Sequence, residues 1–418
     1  MSSAGDYRCP GEAYSISHSV HVARMAAFYP KCRECVWGSA ATSAATTLVT
    51  RLADNPADVP VEPSLGGRSR NATAAPSIFR SEGVRGRYLN DIDRHVAGEI
   101  AGALASLLWE RRPWDMATGI PDGPIVLVGH DERPQSPDIV TGAASALRRM
   151  GCRVIDIGLV TRPCLWFAFE HLQAQAGLLA TGSGCAPSLT GLDFIGPEQQ
   201  PCSFPGLLEQ IACRWHAGYS RTSRHPGTHQ SFRAWKPYEA GLWKHFHALR
   251  PLSVVCSCSS GVVRQLLERL FHPLACRLIL LPSPVRESSF GSPEDSEVIR
   301  AGETVVAHRA HLGVVISDDG QQCCFLDDAG HIVSPQAVGG VLEARSMGPS
   351  PAHDQITLES QSVALAAAPG TAVGPGWHTW FCEPTPVCDA VVTLAKVLQA
   401  LSRNDIELSV RVRSVERP

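Results

Sequence analysis

The chain has 418 residues, 37 Lys+Arg against 40 Asp+Glu for a formal charge of −3, and 15 cysteines. That length calls for two to four domains with ample core, and the near-even charge excludes a bulk attraction to nucleic acid or to a membrane surface. No apolar run approaches the roughly 18 residues that span a bilayer, no signal-peptide core opens the chain, and an odd number of scattered cysteines reads as reduced thiols in a cytoplasm.

Residues 1–75 read as an N-terminal extension and linker. Cys9, His18, His21, Cys32 and Cys35 fall within residues 1–38, the last two cysteines spaced Cys-x-x-Cys. Cys9, Cys32 and Cys35 with His21 would complete a tetrahedral Zn²⁺ site and staple a segment too short for its own core. Unliganded thiols are the simpler reading, since zinc modules show two paired knuckles. If zinc is bound, chelation should loosen residues 1–38 and leave the rest folded, and metal analysis of freshly purified, reduced protein decides it. Residues 54–75 are rich in Pro, Gly and Ser, which is linker composition.

Residues 76–200 form the first α/β unit. After Ser81-Glu82-Gly83-Val84-Arg85-Gly86-Arg87, the positions Ile92, Val96, Ile100, Leu104, Leu107 and Leu108 recur on one face of a helix. Apolar runs at 124–129, 153–158 and 177–181 alternate with helix-length stretches at 138–150 and 163–172, which reads β-α-β-α-β with a parallel sheet. The run Ala180-Thr181-Gly182-Ser183-Gly184-Cys185-Ala186-Pro187 leaves the third strand at its carboxyl end, where such sheets place ligands. From spacing alone, a ligand loop and a plain Gly/Ser turn fit equally.

Residues 201–290 read as a connector and a second unit. The segment 214–236 carries basic residues, histidines, Trp215 and Trp235 but no acid; a solvated connection fits it better than an RNA-binding loop. Strands at 252–256 and 276–281 flank a helix at 261–271. The third unit, 291–418, contains a buried strand at 312–316, then Ser317-Asp318-Asp319-Gly320-Gln321-Gln322, and a helix at 387–401 opened by Asp389.

Gly129-His130-Asp131-Glu132-Arg133-Pro134-Gln135-Ser136-Pro137, then the strand ending Gly158-Leu159-Val160-Thr161-Arg162-Pro163, then Thr181-Gly182-Ser183, occur in the order and at the distances of the first domain of the α-D-phosphohexomutases. The chain resembles that family of phosphoglucomutases and phosphomannomutases. The resemblance implies three consecutive phosphohexomutase-like α/β domains after the N-terminal extension, with the family's fourth, substrate-gripping domain lacking. It implies intramolecular phosphoryl transfer on hexose phosphates through a phosphoserine at Ser183, faced by Arg85 and Arg133 as phosphate clamps. It also implies Mg²⁺ on the loop at 317–322, where the family has Asp-Gly-Asp-Gly-Asp-Arg. In register only Asp319 is kept, with Asp318 beside it where the family has glycine, and a hard cation wants more oxygen ligands than that. Gly184 and Cys185 replace a histidine and an asparagine, Asp193 stands where a lysine is usual, and Gly374-Pro375-Gly376-Trp377-His378 lacks the sugar loop's glutamate and serine. These departures predict weak Mg²⁺ binding and little turnover, and they keep open an alternative: a catalytically silent homologue that binds a sugar phosphate or a protein partner.

Overall fold

The computed structural model describes residues 7–8, 15–16, 78–111, 123–197, 202–283, 290–342, 345–346, 371–373, 375–381 and 387–416. The chain divides into two compact units, Met1–Gly66 and Gly67–Pro418. In the first, β1 (Tyr7–Arg8) pairs antiparallel with β2 (Ser15–Ile16). Cys9, His21, Cys32 and Cys35, and the linker at 54–75, lie outside the described residues.

Among the described residues the second unit holds three sheets. The first has seven strands: β3 (Phe79–Arg80), β4 (Gly83–Arg87), β5 (Ile125–His130), β6 (Arg153–Leu159), β7 (Ala176–Ala180), β8 (Leu189–Ile195) and β9 (His229–Ser231), in the order β3-β4-β8-β7-β5-β6-β9. The segment β7-β5-β6-β9 is parallel and β3-β4-β8-β7 antiparallel, so the sheet is mixed. Helices α1 (Arg94–Arg111) and α2 (Ser136–Arg149) cover one face, burying Ile100, Leu104, Ile139 and Leu147 with Val126 and Val128. The other face carries α3 (Arg162–His171). Both helices after parallel strands begin with proline at the first turn, where a missing N–H costs nothing.

α1 and α2 approach so closely that a methyl on Gly142 would collide with the Arg94 carbonyl. Gly142→Ala should therefore destabilise the protein by about 1–3 kcal/mol, read as a lower urea midpoint. An unchanged midpoint would mean that the helices can part at no cost.

Within 201–240 most residues from 216 to 233 are exposed, as the composition of 214–236 suggests, but the flanking stretches are structured. The segment forms α4 (Leu207–Ala217), β9 and α5 (Trp235–Leu242). Leu208, Ile211 and Ala212 share one face of α4 and pack into the first unit's core. Arg214 pairs with Glu110, and the Trp215 indole donates to Glu99. The indole of Trp235 donates to the Leu159 carbonyl. Arg214, Trp215 and Trp235 thus anchor the two ends of an otherwise exposed stretch.

The boundary expected at 290 also moves. β10 (Ser253–Cys258), β11 (Arg277–Leu281), β12 (Leu312–Ile316), β13 (Cys323–Leu326) and β14 (Ile332–Val333) make one sheet in the order β11-β10-β12-β13-β14. Cys256 lies opposite Val314 in the parallel β10–β12 pair, so the connection through α7 (Ser296–His308) is a crossover inside this sheet. The loop 317–322 thus belongs to the second sheet, together with α6 (Gly261–Phe271) and α8 (Pro335–Val341). A third, smaller sheet of β15 (Arg345–Ser346), β16 (Thr371–Val373), β17 (Thr379–Phe381) and β18 (Val387–Cys388) follows, with α9 (Ala390–Ser402) and α10 (Leu408–Glu416). Three α/β layers in sequence are present, as expected, divided differently. One continuous core runs from Leu127 and Leu179 through Val254 and Val314 to Leu394 and Leu398.

Candidate functional site

The carboxyl ends of the parallel strands in the first two sheets meet at a cavity of about 160 Å³. Ser183 and Thr181 reach it from the loop after β7, Arg133 and Glu132 from the loop after β5, Arg162 from the start of α3, and Asp318 and Asp319 from the loop after β12. Ser183 is thus on a loop at a sheet's edge, the position that its spacing implies.

That loop is shaped by specific bonds. The Ser183 N–H donates to Thr181 Oγ1 (3.0 Å) and the Gly182 N–H to Asp131 Oδ2 (3.1 Å). Asp131 also accepts from Ser136 Oγ and from the Arg133 N–H, which fixes the polar turn after β5. The Arg133 guanidinium is buried and donates to the carbonyls of Cys185, Ala186 and Leu189 at 2.8–2.9 Å. It fits only because residue 182 is glycine: a Cβ there would strike the guanidinium and the Leu189 carbonyl.

Ser183 and the second sheet meet directly. Ser183 Oγ donates to Asp318 Oδ1 at 2.5 Å, and the other oxygen of Asp318 lies 3.6 Å from Arg133. The two residues are 135 positions apart, and nothing in local pattern announces the contact.

Arg85 was expected to face the serine. Its guanidinium pairs with Asp193 of β8 at 2.6 Å and also interacts with Cys185 of the serine loop, and Arg162 holds the other Asp193 oxygen at 3.0 Å. Burial alone would lower the Arg85 pKa, and the Asp193 carboxylate more than reverses this, holding it above its ordinary value. Asp193 and Arg162 are functional candidates that the sequence reading did not connect. The substitution of an acid for the usual lysine at 193 was the one signal available.

The loop at 317–322 fits a magnesium ion poorly. Asp319 Oδ1 accepts from Ser317 Oγ (2.6 Å) and from the Gln321 N–H (3.1 Å), so it is spent inside the loop. Enclosure and the neighbouring Asp318 carboxylate push the Asp319 carboxyl above its usual range. Asp318 is taken by Ser183 and Arg133, and Gln321 accepts from Arg162. Among the described residues no group of three or more His, Cys, Asp or Glu is arranged to hold a metal. Mg²⁺ titrated into the protein should give no micromolar, site-specific heat. Such a signal, lost in Asp319→Ala, would contradict this.

The loop nevertheless ties the layers together. The Arg162 N–H donates to Asp319 O, the Ala390 N–H to Gly320 O, and Gln322 Nε2 to Gly376 O at 2.6 Å. Residues 376–378, where the sugar loop was sought, therefore sit against it. Glu132 reaches across from the first sheet and accepts from the N–H groups of Gly261 and Val262 at the start of α6. No described helix is long and apolar enough to cross a membrane.

Residues 76–205 match the family profile described as phosphoglucomutase/phosphomannomutase, alpha/beta/alpha domain I. A phosphomannomutase/phosphoglucomutase of Pseudomonas aeruginosa is 27% identical over 271 residues, covering 63% of this chain and 55% of that protein. A phosphohexose mutase of Xanthomonas campestris is 25% identical over 299 residues, covering 66% and 61%. The chain spans little more than half the length of these curated relatives. In fold it is similar to the crystal structure of a phosphoglucomutase/phosphomannomutase family protein from Burkholderia thailandensis, with a TM-score of 0.67 at 20% identity, covering 82% of this chain and 80% of that one. The serine loop and the polar turn after β5 both fall within the matched segment, so residues 76–205 form a domain of the phosphoglucomutase/phosphomannomutase domain I type.

Proposed function

We propose that the Ser183 cavity takes a hexose phosphate and that Ser183 is the residue to which the phosphoryl group passes, with Asp318 serving as its proton acceptor. The observation that carries this is the 2.5 Å bond from Ser183 Oγ to Asp318 Oδ1. In the transfer, Ser183 Oγ forms a bond to phosphorus, its proton moves to Asp318 Oδ1, and the bond from phosphorus to the sugar oxygen breaks. The departing sugar oxygen then takes up a proton. Return of the phosphoryl group to a different hydroxyl reverses each movement. The relatives' names, phosphomannomutase, phosphoglucomutase and phosphohexose mutase, support the substrate class, and the cysteine content supports a cytoplasmic setting.

A second reading, binding without useful turnover, rests on the charge around the serine. Asp131, Glu132, Asp318 and Asp319 line the cavity against only Arg133 and Arg162. Phosphoryl transfer depends on positive charge placed around the moving group, and both Arg162 and Arg85 are engaged by Asp193. Slow transfer, far below that of a well-equipped mutase, is the expected behaviour.

Two measurements separate the readings. Intact-mass spectrometry after incubation with glucose 1,6-bisphosphate should show one added phosphate, absent in Ser183→Ala. Glucose 1-phosphate and mannose 1-phosphate in a coupled assay should turn over only slowly. Binding of sugar phosphate without any mass change would establish the second reading, and absence of both binding and mass change would dismiss the two together.

A further inference from the structure

A second cavity of about 370 Å³ lies further along α3, between that helix, α5, the third sheet and α9. Its volume is in the range of small-molecule sites, roughly 300–1,000 Å³. Trp166 and Phe167 of α3 and Phe381 of β17 give it aromatic walls, while Lys244, His245 and Lys396 supply nitrogen atoms. The Lys396 ammonium stands 5.4 Å from the centre of the Phe381 ring. Lys244 is exposed and Lys396 half-buried, and among the described residues neither has an ion pair, so both ammonium groups are available to an anion in the cavity.

The acids nearby do not serve these lysines. Asp389 accepts from the Tyr238 hydroxyl at 2.6 Å and from the Val391 and Val392 N–H groups, so its oxygens are satisfied within the protein. Burial pushes its carboxyl above the usual range, which weakens it further as a counter-charge. Glu170 lines the cavity and makes no ion pair with either lysine. Burial, Lys244 and Lys396 together hold the His245 imidazole down to about 4, so at pH 7 it is neutral and the local charge is that of two ammonium groups.

We propose that this cavity binds a phosphomonoester carried on a flat ring, of the nucleoside monophosphate kind, with the phosphate between Lys244 and Lys396 and the ring against Phe381 and Trp166. A phosphomonoester carries about −1.5 to −2 charges at pH 7, matching two ammonium groups, where a carboxylate would match one. Aromatic walls favour a flat π-face over the hydroxyl-studded ring of a hexose. The site is separate from the Ser183 cavity: Thr161 and Arg162 at the start of α3 line one, and Trp166, Phe167 and Glu170 further along line the other.

The test is calorimetric titration of the full chain with adenosine 5′-monophosphate, adenosine, inorganic phosphate and glucose 6-phosphate. The monophosphate should bind at least about tenfold more tightly than adenosine or phosphate alone, since each lacks one half of the contacts. Lys244→Met/Lys396→Met, which keeps the apolar stems, should weaken it by at least about tenfold, with thermal melting used to verify that the variant is folded. Ser183→Ala should leave it unchanged. Ligand binding should also raise the His245 pKa, seen in its ring proton shifts, because the phosphate offsets the two lysines. No binding of the monophosphate, or equal binding by the folded double variant, overturns the proposal. Loss in Ser183→Ala instead would place the ligand in the serine cavity. Because hexose phosphate binding is scored in the same titrations, failure of the Ser183 reading leaves this result distinct.

Discussion

Asp193→Ala should lower the stability of the protein by about 3–5 kcal/mol, the usual cost of removing one partner from a buried charge cluster. Asp193 is 4% exposed and holds Arg85 and Arg162, whose side chains are 12% and 11% exposed. Without it two guanidinium groups remain in a poorly solvated space beside β8, and the Arg85 guanidinium loses the interaction that outweighs its burial. The loss should appear in urea unfolding as a lower midpoint with an unchanged slope. Asp91→Ala, which breaks the exposed pair with Arg87, is the control and should leave the midpoint nearly unchanged. A loss below about 1 kcal/mol for Asp193→Ala would mean that both arginines swing out to water. In that event the cluster is a surface feature and the acid at 193 is not what keeps positive charge away from the serine.

Asp318→Asn should reduce the rate at which Ser183 accepts a phosphoryl group by about 10²–10⁴, the contribution of a positioned proton acceptor. The asparagine keeps an oxygen for the serine hydroxyl, so the loop geometry survives and only the basicity is lost. It also removes one of the four carboxylates from the cavity, so the affinity for sugar phosphate should rise while the rate falls. That split between binding and rate is the diagnostic, and single-turnover loading followed by intact mass reads both halves. Faster loading in Asp318→Asn would reverse the assignment. The carboxylate would then be a plug on the serine, repelling the phosphate, and the binding-only reading would prevail.

Much of the architecture was legible because it is written locally. Apolar runs at 124–129, 153–158 and 177–181 became β5, β6 and β7 within a residue or two, and the helix at 261–271 and the strand at 312–316 were set by equally local periodicity. β8 was not legible, because Leu189–Ile195 carries a buried Asp193 whose partners, Arg85 and Arg162, lie far from it in the sequence. α4 was obscured by Arg214 and Trp215, whose partners Glu110 and Glu99 lie more than 100 positions earlier. The sheet boundary near 290 failed for the same reason: a parallel pair such as β10–β12 has no hairpin to mark it. Motif resemblance located Ser183 and Arg133. It did not reveal that Asp318, at a position where the family has glycine, would reach the serine.

Glu132 sets a condition on how the cleft breathes. Its two oxygens rest on the first N–H groups of α6, one element from each of two sheets joined across the mouth of the serine cavity. If a sugar phosphate enters past Glu132, it must lift that carboxylate from the positive end of a helix dipole. Such a latch is exposed, so dissolved ions compete with it. Ligand entry should therefore quicken as ionic strength rises, the opposite of what simple attraction between a phosphate and a cationic cleft would give.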